Sequence, residues 1–148
     1  MIVSTDLRQM SSFMKATLLN TEMLAIHQDS MGISGGLVMH DTTSDGGCAV
    51  KDSCQMWARP LTGGRWAMAL YNRNNATASV LGQFTALPLQ PAVSLLGRNL
   101  HAGAPPTKLK VRDVWEKKDL GVFTGSYSAV LAGHETAVLL LESPAGSS

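Results

Sequence analysis

The sequence predicts a mainly β protein, an antiparallel β-sandwich of about eight strands preceded by a short strand and two helices. Three observations predict this fold. From Gly35 onward, apolar residues alternate with the period of two that is typical of strands. Gly, Pro and Asn interrupt the alternating runs at short intervals, as they do in sandwiches. Helical spacing of apolar residues is confined to about the first 30 positions.

The N-terminal segment predicts the end of a buried strand at residues 1–4, followed by two short helices. Ser11 or Ser12 can cap a helix through FMKATLLN, and Thr21 can cap a second helix, EMLAIHQ. One four-residue strand cannot cover the apolar side chains of both helices, so the segment needs another partner layer. These side chains are Phe13, Met14, Leu18, Leu19, Met23, Leu24 and Ile26.

The rest of the chain predicts eight strands. They are residues 36–40, 55–61, 65–72, 77–84, 92–97, 107–115, 125–131 and 136–142. The clearest hairpin is QMWARPLTGGRWAMALYNRN, in which Gly63 and Gly64 provide the turn because glycine tolerates positive φ angles. Both faces of its second strand are largely apolar, so this strand should be central and Trp66 should lie in the core. Residues 85–106 predict an irregular strand and a loop.

Length and charge exclude several classes of partner. The 148 residues suffice for one domain that needs no metal or disulfide to fold. The 12 basic and 11 acidic side chains give a net charge of +1, so we expect neither nucleic acid nor a membrane surface as a partner. No apolar run reaches the roughly 20 residues of a membrane span, and the first residues carry no signal-peptide pattern.

Two features indicate an oxidising compartment. Cys48 and Cys54 predict a disulfide across a hairpin tip, with two free thiols as the alternative. With His40 the only histidine nearby, the two thiols would make a poor zinc site. The triplet that begins at Asn75 is an N-glycosylation sequon in a predicted turn.

An acidic cluster, Asp113, Glu116 and Asp119, is the strongest candidate for acid–base chemistry. Neighbouring cations would lower the pKa values of these carboxyls, which favours an ion-paired connection over a catalytic pair. These cations are Arg112, Lys117 and Lys118. Lys108 and Lys110 share one strand face with Arg112. This face could bind an anion, but the simpler interpretation is that it is the solvent-exposed face of an outer strand.

The remaining candidates are aromatic. Trp57 and Trp115 could stack on sugar rings or fill the core. The four histidines form no metal-binding pair, and no phosphate loop or nucleophile motif is present. From the residues alone we therefore predict no catalytic residue, no metal and no cofactor in this chain.

Several phrases together resemble one enzyme family. IVSTDLRQMS, followed by LLNTEMLAIHQDSMGISG, resembles the closing strand and helix of the catalytic barrel of the α-galactosidase (melibiase) family of retaining glycoside hydrolases. MWARPLTGGRWAMALYNRN is similar to the first hairpin of that family's C-terminal β-domain. VRDVWEKKDLGVFTGSYSAVLAGHETAVLLL is similar to the same domain's last strands. The resemblance spans almost the whole chain in the family's order.

The resemblance implies three segments. Residues 1–34 would be the last β/α unit of a truncated (β/α)8 barrel, residues 35–143 the C-terminal antiparallel sandwich and residues 144–148 a flexible tail. The missing barrel would supply the partner layer that the two helices need. It would also carry the family's two catalytic aspartates, so this chain alone should be inactive. Asp6 matches neither aspartate, and His27 stands where the family usually has asparagine.

The family also implies a function, in which the full enzyme hydrolyses terminal α-galactosides with retention. The galactoside would bind only when the barrel is present, and the location would be secreted, lysosomal or vacuolar. In the final strands we expect Trp115 and Phe123 to fill core, Gly121 and Gly125 to turn the chain and His134 to lie near a strand entry. The alternative is a stand-alone carbohydrate-binding or interaction sandwich without catalysis. The exact substrate and the oligomeric state are left open.

Overall fold

A computed structural model of the chain describes residues 7–40, 48, 52–88 and 107–144. The helices are α1, Ser12–Leu18, and α2, Thr21–His27, with 3-10 turns at Leu7–Gln9 and Phe84–Ala86. The strands are β1 Gly36–His40, β2 Cys54–Leu61, β3 Arg65–Asn72, β4 Ala78–Gln83, β5 Lys108–Asp113, β6 Lys118–Thr124, β7 Ser126–Leu131 and β8 Thr136–Glu142.

These strands form two antiparallel sheets, which confirms the predicted sandwich. The larger sheet has six strands in the order β1-β2-β3-β8-β5-β6, and the smaller sheet pairs β4 with β7. All described strand pairs are antiparallel. The glycine turn at Gly63 and Gly64, with φ of 73° and 71°, joins β2 to β3 as predicted.

The hydrophobic core lies between the two sheets, because alternate residues of each strand point to the same face. On β2, β3, β5 and β8 these inward residues are fully or almost fully buried, and Trp66 is among them as predicted. They are Cys54, Met56, Ala58, Trp66, Met68, Leu70, Leu109, Val111, Leu139 and Leu141. The smaller sheet and the turn after it contribute Ala78, Val80, Phe84 and Leu131.

The opposite face of the six-stranded sheet, the outer face, is only partly covered. Helix α2 lies over it, beside Leu61, Arg65, Arg112 and Leu140. Neither helix has a fully buried residue, and 78% of Phe13 is exposed. The described part of the chain therefore does not enclose the two helices, in line with the expected need for a further layer.

Strand β6 was missed by the sequence prediction, which extended the previous strand to residue 115 and placed the next one at 125. The fifth strand ends at Asp113 instead, and a four-residue turn leads into β6. The β5–β6 register shifts between Val111 and Arg112, where Gly121 has a φ of 116°. This bulge interrupts the period-two pattern, so alternation alone could not reveal the strand.

Two side-chain assignments also need correction. The N-cap of α2 is Asn20, not Thr21. Trp115 lies in the turn after β5 with 41% of its surface exposed, so it does not fill the core. Phe123 does pack against the core, and Gly125 has a positive φ of 78° between β6 and β7.

Some predictions fall outside the described residues: the strand at 1–4, Asp6, the strand at 92–97 and residues 145–148 of the tail. The three predicted segment boundaries stay predictions. Among the residues that are described, no helix has the length and apolar character needed to cross a membrane.

Candidate functional site

Helix α2 is attached to the sandwich at both of its ends, by contacts that we call the helix clamp: Asn20 with Val114, Glu22 with Arg112, and Asp29 with Thr62. Asn20 is 4% exposed and has two roles. Its Oδ1 accepts hydrogen bonds from the backbone N–H groups of Glu22 and Met23, at 3.0 and 3.2 Å. Its Nδ2 donates to the carbonyl of Val114 at 2.9 Å, so one amide both caps the helix and ties it to the sandwich.

Glu22 and Arg112 form the second contact of the helix clamp. Arg112 donates from Nε to Glu22 Oε2 at 2.8 Å and from Nη2 to Glu22 Oε1 at 2.7 Å, which is a bidentate pair. The Arg112 Nη1 also donates to Asp119 Oδ1 at 2.8 Å, and Lys110 Nζ lies 2.8 Å from Asp119 Oδ2. The predicted cationic face of β5 therefore binds carboxylates of this same chain.

These contacts hold both carboxyls in the ionised form. The hydrogen bond from Arg112 lowers the pKa of Glu22 below its usual range. The pKa of Asp119 is lowered first by its hydrogen bond from Lys110 and then by the one from Arg112. A glycosidase acid needs the opposite, a raised pKa, so neither carboxyl suits that role.

Asp29 forms the third contact of the helix clamp, just after α2. Its side chain accepts hydrogen bonds from the Thr62 backbone N–H at 3.0 Å, the Thr62 hydroxyl at 2.7 Å and the Met31 N–H at 3.1 Å. Burial by itself raises the pKa of Asp29, but these hydrogen bonds and Arg65, 3.8 Å away, outweigh burial and lower it. The contact joins the end of α2 to the β2–β3 turn.

The other acidic residues of the predicted cluster have structural roles or are exposed. Asp113 Oδ1 accepts from the backbone N–H groups of Trp115 and Glu116, which shapes the turn between β5 and β6. In the described ranges no three His, Cys, Asp or Glu side chains come together where they could hold a metal ion.

The structure describes both features that predict an oxidising compartment. Cys48 and Cys54 form a disulfide with Cα atoms 5.6 Å apart, as predicted. Asn75 is exposed in the β3–β4 loop, with its Oδ1 2.9 Å from Nε2 of His134, which lies before β8. Glycosylation of Asn75 stays a prediction.

The two remaining tryptophans lie in different surroundings, and each is 41% exposed. Trp57 lies on the outer face, in a groove of about 180 Å³ that we call the outer groove. Apart from Arg59, the side chains that line the outer groove are apolar; they include Ile26, Ala67, Ala69 and Val138. Trp115 borders a wider hollow of about 560 Å³ between α1 and two turns, with Glu116, Lys117 and Glu135 at its edge.

Sequence reasoning missed the helix clamp. Its members are ordinary surface residue types, and Glu22 and Arg112 lie 90 positions apart in the chain. The one available signal was the Asn20 position directly before a helix, which fits an N-cap better than Thr21 does.

Comparison with solved structures first defines the class of fold. The structure is similar to α-galactosidase I from Mortierella vinacea, with a TM-score of 0.72 and 21% identity over 99% of this chain and 32% of that one. It is also similar to a β-L-arabinopyranosidase from Geobacillus stearothermophilus, with a TM-score of 0.70 and 19% identity over 96% of this chain and 26% of that one. Both likenesses show that this chain shares its fold with part of each of those two proteins.

Sequence comparison then defines the family. The model of the α-galactosidase C-terminal β-sandwich domain matches residues 51–141, more than half of the chain. Alpha-galactosidase 3 of Arabidopsis thaliana is 27% identical over 142 residues, which cover 95% of this chain and 28% of that protein. The chain belongs to the α-galactosidase C-terminal β-sandwich family. It spans less than a third of the length of the Arabidopsis relative.

Proposed function

We propose that this chain acts as the C-terminal part of a retaining α-galactosidase-like glycoside hydrolase, in which the sandwich packs against the catalytic barrel. The helix clamp carries the proposal. It fixes α2, the helix that resembles the end of the barrel, to the sandwich through three contacts that each involve a charged or buried polar side chain. The exposed apolar side chains of α1 and the partly exposed ones of α2 would then be covered by neighbouring barrel helices.

The substrate class that we propose for the whole enzyme is a terminal α-galactoside. The support is the family match together with the Arabidopsis relative's name. The Geobacillus relative acts on a β-L-arabinopyranoside, so the fold alone does not select the sugar.

The chain by itself should not hydrolyse an aryl α-galactoside. Glu22, Asp29 and Asp119 are all held ionised by hydrogen bonds, so none of them can serve as the protonated acid at neutral pH. The measurement is release of the aryl alcohol by purified protein, with the Mortierella vinacea enzyme as the active control. Turnover that follows the purified chain through a second column would contradict the proposal.

A stand-alone sugar-binding role is the second candidate, favoured by the exposure of Trp57 and Trp115. The outer groove offers a sugar one polar side chain, Arg59, whereas the hollow beside Trp115 has three charged side chains at its edge, which makes Trp115 the better platform. This role requires galactose to change tryptophan fluorescence, and Trp115→Ala to abolish the change. The enzyme-fragment proposal expects no change with the unaltered chain.

The proposed location is a secreted, lysosomal or vacuolar compartment. The disulfide between Cys48 and Cys54 supports an oxidising environment. The exposed position of Asn75 supports its use as a glycosylation site there.

A further inference from the structure

Arg59 carries an unsatisfied donor on the outer face of the sandwich. It lies in β2, opposite Ala67 of β3. Its Nε is buried and has no hydrogen-bond acceptor among the residues that the structure describes. A buried N–H donor that has lost water and gained no acceptor costs free energy in the folded chain.

The outer groove around Arg59 is lined by no carboxylate from the described part of the chain. Its other side chains are aliphatic or aromatic, with Trp57 partly exposed beside the guanidinium. Glu22 of α2 and Asp29, just after that helix, are already engaged by Arg112 and Thr62 in the helix clamp. The groove is thus an apolar surface around one cationic side chain whose buried Nε–H has no acceptor, which fits a partner that presents a carboxylate within an apolar surface.

We propose that the outer groove binds a segment of the catalytic barrel in which an Asp or Glu pairs with Arg59. This inference rests on the function proposed above and adds the chemistry of the contact. Ile26 of α2 lines the groove, so barrel elements that pack beside α2 would lie directly over it. The Mortierella vinacea enzyme has further chain that could supply such a segment in that protein, since the present chain covers only 32% of it.

A second copy of this chain fits the groove less well. Two copies related by a two-fold axis would place the same surface against itself. In such a self-contact the groove of one copy would offer Arg59 of the other no carboxylate, because none of the described groove side chains is acidic.

The test compares Arg59→Met in two contexts. In the chain as it exists, methionine removes an unsatisfied donor and keeps an unbranched apolar side chain that reaches about as far as Nε, so the Tm should rise by about 2 to 5 °C. The second context is a chimera in which this chain replaces the matching C-terminal part of the Mortierella vinacea enzyme. There Arg59→Met removes a charged pair, so the Tm should fall by about 2 to 5 °C.

Arg73→Met is the matched control, because Arg73 is exposed and its side chain donates to the carbonyl of Asp52, at 3.3 Å. It should shift the Tm by less than about 1 °C in both contexts. Arg59→Lys keeps the charge and should lose less stability than Arg59→Met in the chimera. Opposite signs for Arg59→Met in the two contexts support the inference.

Three results would overturn it: the same sign in both contexts, two independent unfolding transitions in the chimera, or a dimer of the free chain that Arg59→Met dissociates. Activity of the chimera on an aryl α-galactoside reports separately on the proposed function. An inactive chimera that unfolds in one transition, with reversed signs for Arg59→Met, would support the docking surface and count against the proposed function.

Discussion

Asn72 connects the two sheets at the level of a single side chain. It ends β3 with no exposed surface. Its Nδ2 donates to the carbonyls of Ala76, Leu131 and Ala132 at 2.8 to 3.0 Å, and its Oδ1 accepts from the Asn74 N–H at 2.9 Å. Because β3 belongs to the larger sheet and Leu131 to the smaller one, this amide fixes how the sheets meet at one end.

Replacing Asn72 should destabilise the chain more than the small size of the asparagine side chain suggests. Asn72→Ala removes the amide donor to three carbonyls and the acceptor of the Asn74 N–H, which costs about 2 kcal/mol of unfolding free energy. Asn72→Asp keeps the shape but turns an acceptor toward those carbonyls, so it should cost at least about 3 kcal/mol. Urea denaturation measures both. Asn75→Ala, which loses only an exposed contact, is the control, and an Asn72→Asp variant as stable as the control would refute the assignment.

For single residues, the sequence correctly predicted that Trp66 lies in the core and wrongly predicted that Trp115 does. Trp66 belongs to a strand with apolar residues on both faces, a pattern that requires burial. Trp115 follows Asp113, whose carboxylate shapes a turn instead of continuing the strand. The exposure of Trp115 therefore depends on a local hydrogen bond, which the spacing of apolar residues does not reveal.

Helix α2 depends on its contacts with other elements, because seven residues rarely form a stable helix without contacts to the rest of the protein. The helix clamp provides those contacts at both ends. Arg112 meets both Glu22 and Asp119, so one guanidinium couples α2 to β5 and β6.

The attachment of α2 should weaken in acid. The pKa of Glu22 is below its ordinary value of 4.5 in the folded chain, so the pair with Arg112 stabilises the fold fully above that value. This stabilisation is lost as the pH falls through the lowered pKa. Hydrogen exchange should therefore show less protection of the α2 amides at pH 3 than at pH 5.5, after correction for intrinsic rates.

Glu22→Gln separates this pair from the other carboxylates. It should reduce α2 protection at pH 5.5 and leave a smaller difference between the two pH values. Glu116→Gln, in the exposed turn after β5, is the control and should behave like the unaltered chain. If the Glu22→Gln variant kept the full acid dependence, Glu22 would not be the titrating group.

The hairpin of β2 and β3 was predictable, whereas the placement of α2 was not. The hairpin depends on adjacent residues and a glycine turn, all of which a short stretch of sequence displays. The contacts of α2 join residues 90 and 94 positions apart. Such pairs follow from the arrangement of the sheets, and no local pattern encodes them.

Across the whole molecule the two sheets approach closely at Gly82 of β4. A Cβ built at Gly82 would lie 2.8 Å from Met68 Sδ and 3.0 Å from Leu70 Cδ2. The smaller sheet can pack this close to β3 only because position 82 carries no side chain.

Gly82→Ala should therefore force the sheets apart or displace Met68. The expected loss is about 1 to 3 kcal/mol of unfolding free energy, measured by urea denaturation. Gly36→Ala is the matched control in β1, since a Cβ there meets nothing within 4 Å and should change stability by less than about 0.5 kcal/mol. Equal effects of the two changes would show that the contact at Gly82 does not limit the packing.

At this largest scale the sequence predicted the sandwich and seven of its described strands at least approximately, but not their order. The strand that follows β3 in the larger sheet is β8. Strand order depends on which edges remain open after the hairpins form, and amphipathic patterns carry little information about that choice.

The position of β8 between β3 and β5 has a consequence for synthesis of the protein. Without β8 the two halves of the larger sheet have no strand pairing to each other, and β8 leaves the ribosome after all the other described strands. The six-stranded sheet can therefore be completed only after β8 has emerged. A premature stop codon before residue 136 would leave two unjoined fragments of a sheet with exposed edges.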